Sequence, residues 1–157
     1  MNDADDRLRE TAERLALTLS QGGMQKTTAR VMTALLFSPR ASMTAGDLCD
    51  ELRISSGAVS GAVNQLIPTG IVERVPAPGS RRDHYRFRKH AWATLMGDQN
   101  TLLGVMRDAA AEGIAAAGPD STAGHRLDEM RDFYTFMQQE MTALITTWRE
   151  QYDAQHG

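Results

Sequence analysis

The chain is short of the residues that announce secretion, membrane insertion or metal chemistry. It has one cysteine in 157 residues, Cys49, so no intramolecular disulfide is possible and a reducing compartment suits it. No apolar run approaches the roughly 20 residues of a membrane span. The opening MNDADDRLRE is acidic and polar, unlike a secretion signal, so a cytoplasmic protein without a membrane partner is expected. The four histidines, His84, His90, His125 and His156, show no close ligand spacing and no cysteine cluster, so no metal and no cofactor are expected. Phosphate-binding glycine loops, nucleophile elbows and zinc-protease motifs are all missing, and nothing supports an enzyme.

Net positive charge is also lacking, at −3 overall, but its distribution is uneven. Between Ser38 and His90 eight Lys/Arg stand against five Asp/Glu, while the rest of the chain holds nine against fifteen. From Arg81 to Lys89 five basic residues accompany one acidic residue. A protein that approaches phosphate with one face concentrates positive charge there, although a solvated charge run has the same composition.

Periodicity predicts a mainly helical chain with one small hairpin. Leu8, Ala12, Leu15 and Leu19 place one apolar stripe on a helix from about Asp5 to Gln21, ended by Gly22-Gly23. A second helix runs from about Lys26 to Phe37. Thr44, with Asp47 three residues on, opens a short helix carrying Leu48 and Leu52. Arg53-Ile54 make a turn, and Ser55 or Ser56 caps a helix that ends near Ile67-Pro68. Strands are expected at Ile71–Val75 and about Arg82–Arg88, joined by the turn residues Pro76 to Ser80. A helix over about 91–117 is broken by Gly118-Pro119, and a last helix runs from Ser121 or Thr122 to about Tyr152. In it Leu127, Tyr134, Met141 and Trp148 fall seven apart, with Met130, Met137 and Leu144 between them, a heptad seam.

The segment 44–89 therefore has the layout of a winged helix-turn-helix, a device that sets one helix in the DNA major groove. On its second helix Val59, Ala62, Val63 and Leu66 cluster on one side, within about 60°. The opposite side carries Gly57, Ser60, Gly61 and Asn64. Each glycine there costs on the order of 1 kcal/mol against alanine. Small residues allow close backbone approach to a partner, and Ser and Asn bond phosphates or base edges. A weakly formed surface helix is the alternative.

The run ISSGAVSGAVNQLIPTGIVERV, followed by PGSRRDHYRF, resembles the MarR superfamily of bacterial regulators, in particular its GbsR-like branch. AWATLM and EMRDFYTFMQQE resemble that branch too, so the likeness runs from about Gly22 to Trp148. It implies a winged helix-turn-helix domain over 25–90, a dimerisation helix over 1–24 and a helical dimerisation region over 91–157. It also implies a homodimeric, sequence-specific regulator of double-stranded DNA, a repressor under small-molecule control, with helix 55–67 in the major groove and wing 71–88 beside it.

Carried onto this chain, the DNA-binding residues are Ser55, Ser56, Gly57, Ser60, Gly61, Asn64, Arg81, Arg82 and Arg86. Many wings of the family carry Asp-x-Arg; here the order is Arg81-Arg82-Asp83, which makes Asp83 a candidate to orient one of the two arginines. Groove-facing side chains this short make few strong contacts per subunit, which favours doubling the site on a two-fold axis. Leu8, Leu15, Leu19, Met137, Met141, Leu144 and Trp148 offer the dimer surface, and part of these stripes must also be intramolecular core.

Weaker signals remain. Cys49, on a short packed helix, reads as structural more readily than as a redox sensor. Trp92, Phe133, Tyr134 and Phe136 are candidates for a ligand pocket. The GbsR-like resemblance links such a pocket to choline and glycine betaine, since aromatic cages hold quaternary ammonium groups, while plain core packing explains the same residues. A winged helix that binds a partner protein instead of DNA is the competing function.

Overall fold

The computed structural model describes residues 2–157. Its chain divides into two compact units, the first ending at Ala91 and the second spanning Trp92–Gly157.

The first unit holds α1 (Asp3–Gln21), α2 (Lys26–Phe37), β1 (Met43–Thr44), α3 (Ala45–Leu52), α4 (Ser56–Leu66), a 3-10 turn (Ile67–Thr69), β2 (Val72–Val75) and β3 (His84–Phe87). The strands form an antiparallel sheet in the order β1-β3-β2. Its core gathers Val31, Met32 and Leu35 of α2, Leu48 and Leu52 of α3, and Val59, Ala62, Val63 and Leu66 of α4, closed by Met43, Ile71, Val72 and Tyr85. These are the positions that helical and strand periods assign to one face.

Local chemistry sets the boundaries. Thr44 and Asp47 complete a full capping box: the Asp47 amide donates to Thr44 Oγ1 at 3.1 Å, and the Thr44 amide donates to Asp47 Oδ2 at 2.9 Å. Arg53, at φ 54, takes the left-handed conformation that turns α3 into α4. Ser55 caps α4 by accepting the Ala58 amide at 3.1 Å.

Three elements differ from the sequence reading. The two-residue β1 is unanticipated, because Met43–Thr44 has no alternation to detect. The second wing strand begins at His84 rather than Arg82, because the Ser80 hydroxyl accepts the Arg82 amide at 3.2 Å and keeps that stretch in a turn. The last helix continues to His156. α1 lies along α2 inside the first unit; of its residues only Ala16 is buried, and Leu8 and Leu17 stay exposed.

The second unit pairs α5 (Ala91–Ala117) with α6 (Thr122–His156) in an antiparallel hairpin. Contacts step regularly along it. Gly113 lies against Leu127, Gly104 against the Gln138 amide, and Asn100 Nδ2 donates to Thr142 Oγ1 at 2.8 Å. Arg107 donates to Gln138 Oε1. At the far end Trp92, Ala93 and Met96 meet Leu144, Ile145 and Trp148 around a groove of about 250 Å³. Two helices cannot enclose each other: Leu102, Val105, Phe133, Phe136 and Leu144 are all more than half exposed.

Candidate nucleic-acid interface

α4 is oriented by its buried side. Val59, Ala62, Val63 and Leu66 are held at 3% exposure or less, and Gln65 adds a lateral tie. Its Oε1 accepts the Thr28 hydroxyl at 2.6 Å, and its Nε2 donates to Gln25 Oε1 at 3.0 Å. These bonds moor the end of α4 to the start of α2. With one face so fixed, Ser56, Gly57, Ser60, Gly61 and Asn64 are all exposed on the other.

The glycines on that face are not required by the chain's own packing. A Cβ at Gly61 would meet nothing within 4 Å, and one at Gly57 would meet only Ser55 Oγ at 4.0 Å. At Gly113, by contrast, a Cβ would come within 2.7 Å of Leu127 Cδ1. Gly57 and Gly61 thus leave bare backbone toward solvent at a cost in helix stability with no internal return.

The wing arginines separate into paired and unpaired groups. Arg86 lies opposite Glu73 across the β2–β3 ladder and donates to its Oε1 at 2.7 Å, while Arg88 approaches the other oxygen at 4.0 Å. Arg86, grouped by the sequence reading with the DNA contacts, is thus engaged within its own sheet. Asp83 meets Arg74 at 3.8 Å and orients neither Arg81 nor Arg82, which corrects that expectation. Arg74 also lies 6.0 Å from the centre of the Tyr85 ring. Among the described residues Arg81 and Arg82 are exposed and enter no ion pair.

The expected aromatic pocket divides. Trp92 lines the groove with Trp148, whereas Phe133, Tyr134 and Phe136 lie together elsewhere along α6, beside Arg126, Glu129, Met130 and Asp132. Trp92 and the other three do not converge into one cage. Cys49 is a half-buried free thiol, and its carbonyl accepts the Arg53 and Ile54 amides at the turn.

Sequence reasoning missed two side chains. Arg30 reaches from α2 to Glu13 on α1 and to the Leu52 carbonyl that ends α3. His84 stands between Ser42 and Ser80. Neither has a periodic or motif signal, because each joins the chain to a partner remote in sequence, Arg30 to Glu13 and Leu52, and His84 to Ser42. No group of three His, Cys, Asp or Glu side chains is placed to hold a metal among the described residues, and no described helix is long and apolar enough to cross a membrane.

Comparison with known proteins agrees with this geometry. Residues 22–83 match the MarR family model, and residues 90–151 match a model described as MmpR5-like MarR family transcriptional regulator. The HTH-type transcriptional regulator MmpR5 of Mycobacterium tuberculosis is 26% identical over 136 residues, covering 86% of this chain and 82% of that protein. A crystal structure of a transcriptional regulator superposes with a TM-score of 0.78 at 24% identity, over 92% of this chain and 99% of that one, a likeness in fold. Two models of one family thus match both parts of the chain, which belongs to the MarR family of winged-helix transcriptional regulators.

Proposed function

We propose that this regulator binds a pseudo-palindromic operator as a homodimer and represses transcription until an effector releases it. The exposed face of α4 enters the major groove, and Arg81 and Arg82 reach the flanking backbone or minor groove. The observation that carries this reading is the pair Gly57 and Gly61, absent side chains that nothing within the chain demands. Backbone that close to phosphate, with Ser56, Ser60 and Asn64 around it, suits docking better than solvation.

The dimer follows from what the second unit leaves uncovered. Phe133, Phe136 and Leu144 share one side of α6 at 54, 59 and 64% exposure, and a second copy is the occupant that closes an apolar strip of this length. In the first unit Leu8 of α1 is an exposed apolar side chain of its own. Two-fold pairing also supplies the second half-site, about one helical turn away, that short groove-facing side chains need.

The effector site belongs with the Trp92–Trp148 groove rather than with Phe133, Tyr134 and Phe136, because its six lining residues are all apolar. They favour an apolar ligand over a quaternary ammonium ion.

A gel-shift titration with the DNA upstream of its own gene tests the reading. Binding should weaken steeply with salt. Replacing Arg81 and Arg82 together by alanine should lower affinity at least tenfold while the fold stays intact. Retention of full affinity would remove the wing from the interface, and a partner protein bound without salt-sensitive DNA binding would favour the interaction-module alternative.

A further inference from the structure

His84 joins two segments that carry the interface. Its Nδ1 lies 3.1 Å from Ser42 Oγ, just before β1, and its Nε2 lies 3.2 Å from Ser80 Oγ at the end of the wing turn. The backbone repeats the first link, since Thr44 pairs with His84 in the sheet. Ser80 is itself a junction. Its amide donates to the Ala77 carbonyl at 3.1 Å, closing a turn with Pro78 and Gly79 at its centre, and its hydroxyl accepts the Arg82 amide at 3.2 Å. Gly79, at φ 79, supplies the left-handed residue that such a turn needs.

The stretch from Pro76 to Asp83 lies outside both wing strands. A link of that length does not aim its own side chains, so the direction of Arg81 and Arg82 depends on what fixes Ser80. Hydroxyls donate or accept, so the bridge forms with either imidazole tautomer and with the imidazolium. Nearby, Arg40 pairs with Asp47 and Arg74 with Asp83, which leaves Arg81 and Arg82 as the charges of the wing turn outside any ion pair among the described residues.

We propose that His84 is a positioning residue for DNA binding: by tying Ser80 to Ser42 it holds the wing turn against the segment that precedes α3 and aims Arg81 and Arg82. The inference rests on the wing being a DNA-contacting element.

The test uses the full chain, the DNA upstream of its own gene, and five variants: His84→Ala, His84→Gln, Ser80→Ala, the Arg81→Ala/Arg82→Ala pair, and that pair combined with His84→Ala. His84→Ala should weaken binding about tenfold, and Ser80→Ala should act in the same direction. His84→Gln should recover part of the loss, because its amide reaches the place of Nε2 and can still meet Ser80. In the background lacking both arginines, His84→Ala should cost nothing further. An equal loss in that background, or full affinity for both His84→Ala and Ser80→Ala while the arginine pair matters, overturns the inference and leaves the wing reading intact. An arginine pair without effect overturns the wing reading itself. Ser80→Ala carries the test if His84→Ala does not fold.

Discussion

Arg30 grips Glu13 with two of its nitrogens, Nε at 3.2 Å and Nη2 at 3.1 Å from the same carboxylate oxygen, while Nη2 also donates to the Leu52 carbonyl at 3.2 Å. One guanidinium thus connects α1, α2 and the end of α3, where the chain turns toward α4. The two ends of this contact are unequal. Glu13 is half exposed, so Glu13→Gln is expected to cost about 0.5 kcal/mol. Arg30→Met strips a partly buried carbonyl of its partner as well and should cost about 1–2 kcal/mol. Urea unfolding of the two variants checks the order, and equal losses would show that the Leu52 bond contributes nothing.

The bare face of α4 predicts a trade. Gly61→Ala meets no steric obstacle and should stabilise the fold by about 0.5–1 kcal/mol. The same methyl should lower DNA affinity, by about tenfold if the backbone sits against phosphate. Gly97→Ala, equally free of neighbours but on α5, is the control: similar stabilisation with unchanged DNA binding. Thermal melts and gel shifts on both variants decide it, and unaltered affinity for Gly61→Ala would remove α4 from the groove.

Asp47 makes part of the stability pH-dependent. The Thr44 amide bonded to its carboxylate, together with the Thr44 hydroxyl and the nearby Arg40, holds its pKa below the ordinary carboxylate value. A carboxylate with a depressed folded pKa contributes stability that is complete above its unfolded value, about 3.9. That contribution is lost as the pH falls through the folded pKa. Asp47→Asn keeps an oxygen for the Thr44 amide but not the charge. The variant should therefore be less stable than the parent at pH 5–7, and the two should converge toward pH 3. A gap independent of pH would assign the effect to shape rather than charge.

Assembly gives a fourth test. Phe136→Glu and Leu144→Glu place charge on the exposed apolar strip of α6. Each should convert a sedimenting dimer into monomer, with DNA affinity falling sharply because one half-site is lost. A parent chain that sediments as a monomer at micromolar concentration would exclude the two-fold reading.

Much of this fold was legible because its signals are periodic. Val59, Ala62, Val63 and Leu66 announce a buried side, and Gly57, Ser60, Gly61 and Asn64 announce an open one, from spacing alone. The capping pair Thr44 and Asp47 marked where α3 starts. Pairing between elements was not legible. Arg86 reads as a free cation until strand register sets it opposite Glu73. Asp83 reads as a partner for its neighbours until the hairpin brings Arg74 across. Trp92 reads as a neighbour of Phe133 and Phe136 until the antiparallel course of α5 and α6 sets it beside Trp148. His84 has one partner four residues away and another 42 away, a bridge that no window of sequence contains.

The turn between α5 and α6 closes on Gly124, where a Cβ would lie 2.1 Å from the Gly118 carbonyl oxygen and 2.9 Å from that of Pro119. Those obstacles are backbone and cannot step aside, so this corner fixes the count of residues along both helices. Adding a single residue to α5 between Asn100 and Gly113 would rotate everything on one side of it by about 100° and carry Asn100 away from Thr142. The helical arm thus has little room for insertions and deletions, whereas the Pro76–Asp83 stretch can change length at its tip without disturbing the sheet. The corner thus leaves exchange of side chains as the change the helical pair can absorb, and leaves change of length to the wing tip.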